Sequence, residues 1–268
     1  MKFVTERAQA SFGADRYGRT TWLRRIHQTY GVGNMKAFCI AAAIAFTGAG
    51  EALAQNWGGQ SQCALPQGVI NSVQSKLATV INMSDHNGGL FAPNRMWSAI
   101  VDRQGVLCSV INSNNDPWPG SRDIAIAKAT TANGFSNSAL ALSTANLYGP
   151  TQPGGSLYGL NNSNPFNPWF NPQNTGIGFV PGGIITFGGG VALYQSGKVI
   201  GGLGVSGDTS CADHAIAYRM RHLAGLDGTP PGGVGPNGTD NINYYPVGSP
   251  VNPSQFAQPH CISTDITP

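Results

Sequence analysis

The sequence predicts an α/β (α+β) fold carrying long Pro/Gly/Asn-rich loops, and three observations predict it. Between Pro181 and Leu226 the apolar spacing changes period. Short runs (Ile184 to Phe187, Val191 to Tyr194, Val199 to Val205) give way to helical spacing through Ala212, Ile216, Ala217, Met220 and Leu223. Upstream, Met96 to Val101 and Val106 to Ile111 read as two strands joined by the turn Asp102-Arg103-Gln104-Gly105, with helical segments on either side. Glycine (37) and proline (18) together fill about a fifth of the 268 residues, so irregular segments take up much of the chain.

A chain of this length holds one generous domain or two small ones, with an adequate apolar fraction and few charges (10%). The net charge of +3 is unevenly placed. Residues 1–54 carry Lys2, Arg7, Arg16, Arg19, Arg24, Arg25 and Lys36 against Glu6, Asp15 and Glu51. The remaining eight basic and nine acidic residues nearly cancel, which leaves no electrostatic footprint for nucleic acid.

Taken in order, the chain first offers Met35-Lys36, an apolar run AFCIAAAIAFTGAG and an Ala52-Leu53-Ala54 end, the pattern of a secretory signal peptide cut near Ala54/Gln55. The other reading is a buried N-terminal helix. The run is too short and too rich in alanine for a stable membrane span, so no span is expected in the mature chain. Residues 1–34 are then an extended leader or lie upstream of a true start at Met35. The division expected is 1–54 leader and signal, 55–226 domain, 227–268 irregular tail, with a periplasmic or secreted location. Cys39 leaves with the signal. Cys63, Cys108, Cys211 and Cys261 remain, enough for two disulfides with all three pairings open.

Val69, Ile70, Val73, Leu77, Val80 and Ile81 recur at helical spacing from Leu65 to Ile81, with Pro66 acceptable in the first turn. A polar loop, Asn82 to Asn94, precedes the strand pair, and a turn-rich loop, Asn112 to Gly120, follows it. Ser121 is a plausible N-cap for a helix through Ile124, Ile126, Ala127, Ala129 and Thr130, ending near Gly134. Phe135 to Val180 is irregular but rich in aromatics (Tyr148, Tyr158, Phe166, Trp169, Phe170, Phe179), the composition of a packed cover, a ligand lid or a partner surface.

Three pieces carry a family resemblance: Ile100-Val101-Asp102-Arg103-Gln104-Gly105; Ile126-Ala127-Lys128-Ala129-Thr130-Thr131-Ala132 with Phe135; and Pro181-Gly182-Gly183 with Gly197 to Gly207 and Asp213-His214-x-x-Ala217. Over roughly 65–226 the sequence resembles the GlcG/HbpS family, which includes the C-terminal domain of PduO proteins. The resemblance implies a profilin-like α/β sandwich, with an antiparallel sheet of about five strands flanked by helices. It also implies oligomers, and haem or corrinoid-type binding in several members. The family's Arg-Met-Asp segment appears here as Ile111-Asn112-Ser113-Asn114-Asn115-Asp116, and the insertion at 147–180 is longer than expected.

Candidate site residues follow from chemistry. Gly202-Leu203-Gly204-Val205-Ser206-Gly207 matches G-x-G-x-x-G, but Asp227 sits in a Gly-Pro tail and no further βαβ unit follows, so the glycines are read as close-approach positions. Gly207-Asp208-Thr209-Ser210 opens a helix whose free N–H groups suit a carboxylate or propionate, with Asp208 or Ser210 as an ordinary N-cap in the plainer reading. His214 and His86, the latter with Met83 nearby, are candidate ligands for haem iron, and Asp213 is placed to orient a neighbour. Lys128 and Thr131 share a helix face, where Lys128 meets either a propionate or an Asp. Ser210, Asp213 and His214 share one helix and make no triad, and Cys211-x-x-His214 lacks further metal partners.

The function expected is that of an exported, oligomeric protein binding haem or a related small molecule without turnover. The alternatives are an accessory subunit docking on a periplasmic redox enzyme through the aromatic insertion, and a small-molecule enzyme using Asp213, His214 and Lys128.

Overall fold

The computed structural model describes residues 61–163, 175–228 and 232–268. The expected leader and signal (1–54) and Phe166, Trp169 and Phe170 of the insertion lie outside the described residues. The helix expected over Leu65–Ile81 is present in two pieces, α1 (Gln67–Gln74) and α2 (Lys76–Ile81). Between them Ser75 Oγ donates back to Ser72 O (3.0 Å), a local bond that competes with the helical ladder and bends it. The strand pair follows as β1 (Trp97–Asp102) and β2 (Leu107–Asn112), then α3 (Ser121–Gly134), β3 (Gly190–Gln195), β4 (Lys198–Ser206) and α4 (Ser210–Leu223). Gly120, not Ser121, caps α3, and it offers no side-chain bond.

The sheet is antiparallel with strand order β2-β1-β4-β3. It has four strands among the described residues, and the run Ile184–Phe187 is not the fifth. Gly182 and Gly183 enter it with positive φ (69° and 87°), and its backbone bonds go to side chains: Ile185 N donates to Thr131 Oγ1. The β3 edge is already occupied, by Thr144 at Gly190 and by Leu226 O at Tyr194 N.

Alternation along the strands sorts the core into two faces. On one, Ile100, Leu193, Leu203 and Val205 pack with Val73, Leu77 and Val80 of α1 and α2 and with Ile216 and Met220 of α4. On the other, Ala99 and Val101 meet Ala125, Ile126 and Ala129 of α3. Here β4 turns Gly202 and Gly204 toward α3, where any Cβ would run into the carbonyl oxygens of Ala129 and Ala125. The glycine-rich motif of β4 therefore lets a helix lie directly on strand backbone. Gly204→Ala is expected to cost about 1–3 kcal/mol through overpacking, read as a lower urea midpoint, whereas Gly68→Ala on the exposed face of α1 meets no neighbour within 4 Å.

The four cysteines form Cys63–Cys108 and Cys211–Cys261, with Cα separations of 5.3 and 6.0 Å in the ordinary range. The first ties the chain ahead of α1 to β2, and the second ties the C-terminal segment to α4. That segment has little regular structure, yet it buries Asp240, Asn241, Ile242, Tyr245, Ala257 and Gln258. Its ordering is structural and does not depend on the cysteine alone. Among the described residues no helix is long and apolar enough to cross a membrane.

Candidate functional site

The start of α4 gathers most of the residues singled out above. Thr209 caps the helix, accepting from Ala212 N (3.1 Å), in place of the expected Asp208 or Ser210. Asp208 instead reaches away to accept from Leu90 N (2.8 Å), Phe91 N (3.1 Å) and Asn94 Nδ2 (3.1 Å), fastening the 82–94 loop. Asp213 Oδ1 accepts from Asp208 N (3.0 Å). The N–H groups expected to meet a propionate are thus engaged in part by the chain's own carboxylates. Gly207, at φ 152°, lies so close to Arg95 O that no Cβ fits there.

Lys128 rises from α3 into the same region. Its Nζ donates to Asp213 Oδ2 (2.6 Å) and Val205 O (3.1 Å) and sits 5.0 Å from the centre of the Phe187 ring. Both side chains are buried, so of the two partners anticipated for Lys128 it is the aspartate that is present. Burial pushes the Lys128 ammonium down and the Asp213 carboxyl up to about 6, each against the attraction of the other. Gly189 makes room for the pair, since a Cβ there would stand 2.7 Å from Lys128 Nζ and 2.9 Å from Asp213 Cβ. Thr131, one turn along, donates to Ala127 O (2.7 Å) and takes Ile185 N, and so pins the 181–187 segment.

His214 is fully buried beneath the C-terminal segment. Its Nε2 lies 3.0 Å from Ile242 N, a donor, and 3.2 Å from Asn241 Oδ1, an acceptor, and its Nδ1 has no partner among the described residues. Burial holds its pKa down at about 4, so the ring is neutral at physiological pH. Close by lies a pair that sequence reasoning passed over. Arg221 grips Asp240 of the C-terminal segment through two bonds of 2.6 Å, with both side chains at 0% exposure. A lone arginine in the last turn of a helix reads as a solvated charge, so only a partner 19 residues on could have flagged it.

His86 occupies a different setting. It is exposed on a 3₁₀ turn (His86–Gly88) with φ 50°. Arg219 of α4 holds that turn by clasping Asp85 (2.6 and 2.9 Å) and Asn87 Oδ1 (2.7 Å). Its guanidinium keeps the Asp85 carboxyl below the usual range. The structure therefore unites Lys128, Asp213 and His214 around α4, all buried, and leaves His86 apart at the surface. A substrate for the enzyme alternative would have to reach groups that the fold closes over. A separate hollow of about 300 Å³ lies beside the β2 edge, lined by Trp97, Val110, Ile111, Asn112, Arg122 and Ile177. The Arg122 guanidinium there is already engaged, its Nη2 donating to Thr175 O (2.9 Å) and its Nη1 lying 3.7 Å from Asp123.

Comparison with known proteins adds the family. A model described as "Haem degrading protein HbpS-like" matches residues 73–221, inside the 65–226 span that carries the resemblance. The chain is 35% identical over 154 residues to the corrinoid adenosyltransferase PduO of Citrobacter freundii, covering 56% of this chain but only 34% of that protein. It is 30% identical over 146 residues to an uncharacterized 15.0 kDa protein from the dhaT-dhaS intergenic region of the same organism, covering 54% of this chain and 75% of that one. Among solved structures, a PduOC:heme complex aligns at 26% identity with a TM-score of 0.45, covering 60% of this chain and 94% of the other. With the family model spanning more than half of its length, the chain belongs to the haem degrading protein HbpS-like family.

Proposed function

We propose that this chain binds haem or a related tetrapyrrole without turning it over, as an exported, oligomeric protein of the periplasm or the surroundings of the cell. Membership of a family described as haem degrading carries the haem part of the reading, and the turnover part is decided by the reductant test below. The geometry adds a choice between the two candidate iron ligands. His86 presents its imidazole to solvent from a turn clamped by Arg219, whereas His214 is sealed under Asn241 and Ile242. With the fold as it stands His86 would be the residue to hold an added haem, its imidazole nitrogen being a suitable ligand for the iron. The other candidates, Lys128, Thr131 and Asp213, are engaged within the fold and lie apart from His86.

Haemin added to the oxidised chain is expected to give a shifted Soret band, with affinity lowered about tenfold or more in His86→Ala and unchanged in His214→Phe. Absence of any shift in the parent protein sinks the haem reading. Loss of the band with iron release, on addition of reductant and air, places the protein among haem degraders instead of carriers. Native mass of the same sample reports the oligomer.

A further inference from the structure

We propose that Cys211, Cys261 and Asp265 form a latent site for a thiophilic dication of the Zn²⁺ class, opened when a dithiol reduces the Cys211–Cys261 disulfide. The two sulfurs and a carboxylate oxygen of Asp265 all lie within 4.8 Å of one another. The Asp265 side chain is 1% exposed, and its Oδ1 is buried with no hydrogen-bond partner among the described residues. An orphaned carboxylate oxygen is costly unless something positive completes it. Its other oxygen is fixed, since Oδ2 accepts from the backbone of Cys261 and of Ile262 (3.1 Å). His260 lies outside that cluster but steadies the carboxylate: its Nδ1 is 3.5 Å from Asp265 Oδ2, and its ring is stacked on Tyr244 at 4.2 Å.

The surroundings of the sulfurs fit the same reading. Cys211 N, in the first turn of α4, donates to Cys261 Sγ (3.2 Å), and Ser210 Oγ lies 3.3 Å from it. Gln258 Nε2 donates to Cys211 Sγ (3.3 Å). Donors around a sulfur favour thiolate and fix its direction, as outer partners do in metal sites. The other disulfide serves as an internal contrast. Asp102 lies beside Cys63 and Cys108, but its oxygens are taken by Ala64 N, Gln104 N and Val106 N. It has no orphaned oxygen to offer.

The chemistry balances. One thiolate of the dithiol attacks a cysteine sulfur, and its second thiol closes the reductant into a disulfide, leaving Cys211 and Cys261 as thiols. Zn²⁺ then displaces their two protons and is held by two thiolates and the Asp265 carboxylate, with water fourth. A tetrahedral ion with Zn–S of about 2.3 Å needs the sulfurs roughly 3.7 Å apart. The Cα separation of 6.0 Å accommodates that spacing without moving the backbone.

The test uses the full chain, oxidised or reduced with a phosphine that leaves no competing thiol, titrated with Zn²⁺ against a chromophoric chelator and weighed by native mass. The reduced protein is expected to hold zinc that the oxidised protein does not. Asp265→Asn, which keeps all four cysteines, should weaken that site about tenfold or more. Cys211→Ser, which keeps Cys63–Cys108, should abolish it. The proposal is overturned if the reduced chain retains no zinc. It is equally overturned if Asp265→Asn binds as tightly as the parent, which would put the metal on Cys63 and Cys108, or if reduction removes the helical circular dichroism before zinc is taken up. None of these readouts involves haem.

Discussion

Replacing Asp240 with alanine is expected to lower stability by about 3–5 kcal/mol, the cost of leaving a buried charge without its partner. Arg221 and Asp240 meet through two bonds of 2.6 Å at 0% exposure, and Arg221 Nη1 also reaches Ala192 O (3.0 Å) on β3. With the carboxylate gone, the guanidinium keeps, among the described residues, that carbonyl, the face of Tyr218 4.8 Å away and the more distant charge of Asp227. Burial alone would raise the Asp240 carboxyl, but the attraction of Arg221 outweighs it and leaves it below the usual value of 3.8. The sign follows: the carboxylate stabilises the fold above the unfolded value near 4, and that stabilisation is lost as pH falls. Urea midpoints should therefore separate Asp240→Ala from the parent at pH 7 and converge in acid. Arg221→Met with Asp240→Leu should recover most of the loss, because an apolar pair needs no desolvation. A cost for Asp240→Ala of about 0.5 kcal/mol, typical of a surface change, would mean that the C-terminal segment is not part of the core.

That segment also marks where sequence reading stopped. Alternation and a turn made β1 and β2 legible, and the turn is built as expected, with Asp102 taking Gln104 N and Val106 N and with Gly105 at φ 83°. Helical spacing made α3 and α4 legible because each buries apolar residues against the sheet. The C-terminal segment has no such period. It binds through Asp240, Asn241 and Gln258, polar residues whose partners on α4 become visible only in three dimensions. This second covering also explains why α4 buries His214 and Arg221 beside Ile216 and Met220, Asp213 being closed over by Lys128 of α3, while Leu223, expected on the apolar face, is 43% exposed. Ile184–Phe187 misled in the opposite sense: an apolar run with strand composition was diverted by its glycines and by Thr131. For the site, residue chemistry singled out Lys128, Asp213 and His214, but spacing could not say that they are sealed. The disulfide pairing was likewise a matter of which elements the fold brings together.

Lys128→Met should cost about 3–5 kcal/mol at pH 8 and much less at pH 5. In the parent, burial outweighs attraction for both partners, pushing Lys128 down and Asp213 up to about 6. A carboxyl raised from 3.8 to about 6 keeps its proton in the folded chain while the unfolded chain has lost it. Its contribution therefore declines as pH rises through that window and is gone above it. Removing the ammonium takes away the attraction that limits the rise, so the Asp213 window extends upward, toward and beyond neutrality. At pH 5 the carboxyl is largely protonated with or without Lys128, and the variant forfeits mainly the bonds to Asp213 and Val205 O. At pH 8 it must either bury a bare carboxylate or hold a proton against the solution. Urea midpoints of parent and variant should accordingly draw apart between pH 5 and pH 8, and Lys128→Met with Asp213→Leu should bring them back together. Equal gaps at the two pH values would mean that Asp213 is ionised throughout, with its charge met by Asp208 N and solvent rather than by the lysine.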